Sequence, residues 1–85
     1  MDTSIQLDEF VMVTLARACN CMRSSVAPTT DIADLGVDSL TLTSLAAQIE
    51  SRFECELSDD QMQRLLDATL VSEILTLARE VTGAR

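Results

Sequence analysis

The clearest period in the chain runs from Ser39 to about Phe53, where Leu42, Leu45, Ala46, Ile49 and Phe53 recur at intervals of three and four. That spacing lays them on one face of an α-helix and marks the face as core. Leu40, Thr43, Ser44, Ala47 and Ser51 fall on a different face that is small, weakly polar and low in charge. Such a face has the quality of a docking surface, with Leu40 as its prominent apolar side chain. Upstream, the chain is helix-like from Ile5 to about Met22, and its stripe is less definite. Leu7, Val11, Thr14 or Leu15, Ala18 and Met22 make one apolar face, while Ile5, Met12, Leu15 and Cys19 make another. Thr3 and Gln6 fit a capping box, Asp8 and Glu9 suit the turn that follows, and Arg17 and Arg23 fall near the other end, where cations are favoured.

Between these segments, Ser24 to Asp38 contains Pro28 and adjacent Thr29 and Thr30 and shows no sustained period. It reads as a long ordered loop, of the kind that is usually functional in a small domain. Val26, Ile32 and Leu35 are placed to pin it to the core, and Asp31 to cap one short turn over Ile32-Ala33-Asp34. After Phe53, Ser58 with Gln61 three residues on predicts a second capping box, with Asp59 and Asp60 in its first turn and Met62, Leu65 and Leu66 facing inward. The last helix is expected to start after Thr69, with Val71, Ile74, Leu77 or Ala78, and Val81 as core positions and Gly83 as its stop. The expected outline is a single domain over residues 1–85, with helices at about 4–22, 39–53, 59–66 and 70–82 and a loop at 23–38. This is an all-α fold, a small antiparallel bundle of three longer helices and one short one with a long first connection.

Composition sharpens that outline. In 85 residues there are two Gly and one Pro, too few turn residues for an all-β fold. Apolar residues make up 47% and aromatics 2%, so the core must be aliphatic. The net charge is −8, with fourteen Asp and Glu against six Arg and no Lys or His. Nucleic acid and anionic membrane, which demand cationic surfaces, are thereby excluded as partners. No apolar run approaches the roughly 20 residues of a membrane span. Three cysteines without a secretory leader point to a reducing, cytoplasmic setting. The start Met1-Asp2-Thr3 leads us to expect a free-standing monomer.

Catalysis by the chain itself has little to work with. A serine nucleophile needs an adjacent base, and no His exists to supply one. Cys19-Asn20-Cys21 invites a metal reading, but on a helix residues two apart diverge, so the thiols read as small apolar fillers. The acids in loops and helix starts, among them Asp31, Asp59 and Asp60, read first as caps and solubilising charge, whereas Asp34 and Asp38 flank Ser39 closely and favour a functional role. Asp38-Ser39 also fits a plain helix cap. The long loop before it, Gly36 within it and the soft face after it favour a functional reading: Ser39 at a helix start, with its hydroxyl in water, is a good place to hang a phosphate.

At Leu35-Gly36-Val37-Asp38-Ser39-Leu40 the chain resembles the attachment motif of the carrier-protein family, which includes acyl carrier proteins and peptidyl carriers. The resemblance extends to Ile32 as a loop hydrophobe and through Phe53, Leu57 and Asp59 to Thr69-Leu70. It implies that Ser39 is esterified with 4′-phosphopantetheine from coenzyme A, that Asp38 assists by helping to bind the metal ion during transfer, and that partner enzymes grip Leu40, with Ser44 and Ala47 beside it. It implies as partners a phosphopantetheinyl transferase and, downstream, ketosynthase, acyltransferase, adenylating or ligase enzymes and a thioesterase. The carrier itself would be non-catalytic.

Two departures from the family pattern narrow the expectation. Carriers of primary fatty-acid synthesis are typically strongly acidic along the helix after the motif, whereas here Glu50 is the one acid between Leu40 and Phe53. Peptidyl carriers more often resemble a G-G-x-S pattern, so Val37-Asp38-Ser39 favours acyl cargo. The expected function is a discrete acyl carrier of a polyketide or mixed polyketide–peptide pathway. An aminoacyl carrier and an unmodified helical interaction module are the alternatives.

Overall fold

A computed structural model describes residues 3–83, with side chains from residue 6 onward. Its elements are α1 (Thr3–Ala18), α2 (Ile32–Leu35), α3 (Ser39–Phe53), α4 (Asp59–Leu66) and α5 (Val71–Thr82), with a 3-10 turn at Arg23–Ser25. The fold is an all-helical bundle. Its largest fully buried side chains are aliphatic throughout: Leu7, Val11 and Leu15 of α1, Val26 of the loop, Leu45 of α3, Leu65 of α4, and Val71 and Ile74 of α5.

The broad apolar face expected of α1 is present, with Met12 and Ala16 buried beside Leu7, Val11 and Leu15. Thr14 is buried too, and its hydroxyl is satisfied by donating to the Phe10 carbonyl at 2.7 Å. The end of the helix differs from expectation. α1 stops at Ala18 rather than near Met22, because Asn20 takes a left-handed conformation at φ 54° and Cys21 N donates back to Ala16 O. Asn is one of the few residues that tolerates this geometry and so ends helices. In consequence Ala18 is exposed, and Met22, assigned to the core stripe, is 71% exposed. Arg23 is no helix-end cation either. It turns back on α1, its Nε and Nη2 donating to the Glu9 carboxylate at 2.7 and 2.8 Å, while Nη1 holds Val26 O. The capping box expected at Thr3 falls on a side chain outside the described residues.

The long connection is fixed at both levels. Val26 and Ile32 are buried and Leu35 half-buried, as their apolar character requires. The backbone is stitched to the start of α5. Ile32 N donates to Thr69 O at 2.9 Å, Val71 N to Thr30 O at 3.0 Å and Ser72 N to Pro28 O at 2.9 Å. Asp31 precedes α2 as expected, but its side chain makes no capping hydrogen bond.

On α3 the buried residues are Leu42, Leu45, Ala46 and Ile49. α4 carries the full Ser58–Gln61 capping box. Gly83 closes α5 at φ 74°, where a side chain would be strained. Ion pairs fasten the outside: Arg79 of α5 to Asp8 of α1, and Arg64 of α4 to Glu80 of α5 at 2.6 Å. Among the described residues no helix is long and apolar enough to cross a membrane.

Phe53 is only half-buried at the end of α3. Its ring meets Phe10 edge-on, with centroids 5.6 Å apart, and the Arg52 guanidinium lies 5.4 Å from its centre. A fully buried ring truncated to Ala costs about 3–5 kcal/mol. Here Phe53→Ala should cost about 2 kcal/mol, since part of the ring is already in water and part of its contact is the pair with Phe10. Urea unfolding of the variant checks this; a loss of about 4 kcal/mol or more would place the ring in the core instead.

Candidate functional site

Asp and Ser are both preferred helix caps, so either Asp38 or Ser39 was able to take that position. Asp38 takes it. Its backbone is extended (φ −106°, ψ 177°), and its Oδ1 accepts from Thr41 N at 2.8 Å. Ser39 is then the first residue of the fifteen-residue α3, with an exposed side chain that is not spent on capping. The helix dipole places positive potential beneath that hydroxyl. The hydrogen bond from Thr41 N holds the Asp38 carboxyl below its ordinary pKa, so it is ionised at neutral pH.

The backbone reaches this point along a fixed path. Gly36 ends α2 at φ 72°, with its N–H donating to Ala33 O at 3.1 Å. A Cβ there would meet no atom within 4 Å, so the requirement for Gly is conformational and not one of space. Gly36 is a helix stop, not a source of flexibility. Val37 then packs half-buried against the core, anchoring the step from Gly36 to Asp38.

Ser39 borders a cleft of about 270 Å³, whose apolar walls come from Ile32 of α2, Val37, Leu42 of α3 and Leu66 of α4. Asp38, Ser39 and Thr69 supply its polar edge. Sequence reasoning named Ile32, Leu66 and Thr69 but did not place Leu66, Ala68 and Thr69, which come from α4 and its link to α5, beside Ser39. The spacing of Thr69 and Leu70 before Glu73 was the available signal, since an acid at that position of a helix start folds back on the preceding backbone.

Leu40, Ser44 and Ala47 are all exposed, Leu40 at 76%. Leu40 and Ser44 also border a groove of about 180 Å³ between α1 and α3, with Thr14, Ala18 and Gln48 opposite or beside them; Ala47 lies outside that lining. Glu50 is half-buried, and its carboxylate accepts from Leu57 N at 2.8 Å. The fully exposed residues of α3 from Leu40 to Ser51 carry no charge.

Cys19 and Cys21 do not diverge on a helix as expected, because α1 ends before them. Both lie beyond Ala18, on either side of Asn20, and are half-buried, as is Cys55. Burial pushes the Cys19 and Cys55 thiols up, which keeps them protonated at neutral pH. Among the described residues no group of three His, Cys, Asp or Glu side chains is arranged to hold a metal ion.

The cap makes a prediction about pH. Because the folded state depresses the pKa of Asp38, the stability it contributes is present above its ordinary value of 3.8 and is lost as pH falls through the lower folded value. Asp38→Asn keeps an acceptor without the charge. The wild type should unfold at higher temperature than this variant near neutral pH, and the difference should close below pH 3.8, followed by circular dichroism. A difference constant with pH would contradict the assignment.

A stretch of 43 residues is 44% identical to Clavatol synthase claF of Penicillium crustosum; it makes up 49% of this chain and 2% of that protein. The chain thus corresponds to a small fraction of the relative's length. Residues 9–77, which include α2, the cleft and nearly all of the bundle, match the family described as the phosphopantetheine attachment site. The chain belongs to that family, and 4′-phosphopantetheine is its covalent cofactor.

Proposed function

We propose that the arm is carried on Ser39 and that the chain is an acyl carrier, tethering acyl or polyketide intermediates for partner enzymes of a polyketide or mixed polyketide–peptide pathway. The observation that carries this reading is the division of labour at the start of α3: Asp38 caps the helix, and Ser39 presents an unspent, exposed hydroxyl beside an open cleft. These residues fit the group. A phosphodiester on Ser39 would meet the positive end of α3 in solvent, and the apolar cleft walls suit the arm's uncharged length. When bound, the arm supplies a terminal thiol on which acyl groups are held as thioesters. Asp38, ionised next to Ser39, is suited to attract the cation needed while a transferase delivers the arm.

A carrier role brings the chain before a phosphopantetheinyl transferase and synthase enzymes. In our reading the latter include a ketosynthase, an acyltransferase or ligase and a thioesterase, met by a cytoplasmic monomer that does no chemistry of its own. Two features support a polyketide setting over primary fatty-acid synthesis. One is the similarity to a clavatol synthase. The other is the lack of charge on the fully exposed residues of α3 from Leu40 to Ser51, which fits partners that recognise shape and apolar contact. Acyl cargo is favoured over aminoacyl cargo by Val37-Asp38 ahead of Ser39.

Incubation with coenzyme A and a broad-specificity phosphopantetheinyl transferase should add one arm to the wild type and none to Ser39→Ala, read by intact mass. An unmodified wild type, with partner binding that survives Ser39→Ala, would favour a plain interaction module. Leu40→Ala should change stability by less than about 0.5 kcal/mol, as expected of an exposed side chain, yet slow cargo transfer by a partner synthase. Global unfolding of this variant would contradict the exposed placement.

A further inference from the structure

The cleft beside Ser39 has one wall that the local sequence does not hold in place. α2 is four residues long, with one buried side chain, Ile32, and a helix this short has no stability of its own. What fixes it is the backbone exchange with the link between α4 and α5: Ile32 N donates to Thr69 O, and Val71 N to Thr30 O. That link is itself short, and one side chain gathers its polar groups from the α5 side. Glu73 Oε2 accepts from Thr69 N at 2.5 Å, Thr69 Oγ1 at 2.9 Å and Leu70 N at 2.8 Å. Thr69 thus faces two ways. Its N–H and hydroxyl are held by Glu73, while its carbonyl holds α2 and its residue lines the cleft with Ser39.

We infer that Glu73 is a positioning residue for arm attachment at Ser39, acting through Thr69 on α2 and so on the surface a transferase meets. The inference rests on Ser39 as the attachment point. Glu73 is not among the residues that line the cleft at Ser39; it decides whether Asp34, Gly36 and Val37 approach Ser39 along one path or several. Hydrogen bonds to a charged acceptor are the stronger class, and Thr69 passes their loss on because its carbonyl is the one that holds Ile32 N.

The test compares wild type, Glu73→Ala, Glu73→Gln and the control Glu80→Ala. The control removes an α4–α5 contact to Arg64 and Gln61 that does not involve Thr69. Amide exchange at Ile32 and Val71 should quicken about tenfold in Glu73→Ala, the consequence of losing charge-assisted bonds that close this segment. The carrier's KM with coenzyme A and a broad-specificity transferase should rise about fivefold with kcat changed less than about twofold, since docking geometry and not chemistry is disturbed. Glu73→Gln, which retains an acceptor oxygen but loses the charge, should show intermediate changes, exchange about threefold faster and KM raised about twofold, and Glu80→Ala should show neither. The inference is overturned if exchange at Ile32 is unchanged in Glu73→Ala, or if Glu80→Ala raises KM as much. Should Glu73→Ala fail to fold, Glu73→Gln decides: an unaltered exchange rate there, or a KM equal to that of the wild type, overturns the inference as well. A wild type that takes no arm removes the attachment reading and the role in attachment with it, while exchange separately keeps or removes the coupling of Glu73 to α2.

Discussion

A serine at the start of a helix is ordinarily consumed by the helix. Its hydroxyl accepts from a backbone N–H that has no other partner, and a hydroxyl so engaged is turned inward. The structure depends on avoiding this at Ser39. Asp38 accepts from Thr41 N, which moves the cap one residue upstream and leaves Ser39 as the first residue of the helix proper. The same positive helix end then serves two purposes. It keeps Asp38 ionised, and it offers a favourable environment to any anion carried on the serine. Shifting the cap by one residue separates a structural serine from one that is available for modification.

Placing Ser39 there obliges the preceding connection to be ordered, because Asp38 can cap only if the backbone arrives extended from one direction. No single local interaction achieves this. Val26 and Ile32 are sunk into the core, Arg23 reaches back to Glu9, and the backbone trades hydrogen bonds with the start of α5. Charge is distributed along the same lines. Asp31, Asp34 and Asp38 are exposed on the approach to Ser39, whereas the fully exposed residues of α3 from Leu40 to Ser51 carry no charge.

How far the sequence foretold this depended on the range of the interaction concerned. The core face of α3, the Ser58–Gln61 box and the Gly83 stop were legible because each is decided within one or two turns of helix. The end of α1 was not, since no Gly or Pro marks it and the helix period continues in apolar residues past the point where Asn20 turns the chain. Met22 consequently moved from core to solvent, and Arg23 from a helix terminus to an ion pair with Glu9. Phe53 kept its face but lost part of its burial, because helix periodicity gives direction and says nothing of how near the end of the bundle a residue lies. In the site, Asp38 and Ser39 announced themselves by motif. Leu66, Ala68 and Thr69 did not, because only tertiary packing brings them beside Ser39.

The packing also bears on where cargo on Ser39 would reside. The seam among Ile49, Leu57, Leu65, Ile74, Leu77 and Val81 is the apolar interior nearest to a lipid-like environment, yet it encloses only about 10 Å³. That is barely the space of one water molecule. The cleft at Ser39 offers about 270 Å³ and opens beside the tether itself. To enter the seam, an acyl chain would have to part aliphatic side chains that are packed together, Ile49, Leu65, Ile74 and Leu77 buried and Leu57 and Val81 half-buried, forfeiting their mutual contacts before gaining its own. Cargo on Ser39 would therefore rest against Ile32, Val37, Leu42 and Leu66, near the surface and within reach of a partner. The wall of that resting place is α2. If the arm is carried on Ser39 as proposed, the hydrogen bond that holds α2 to Thr69 would bear on both how Ser39 is approached and how its cargo is shielded.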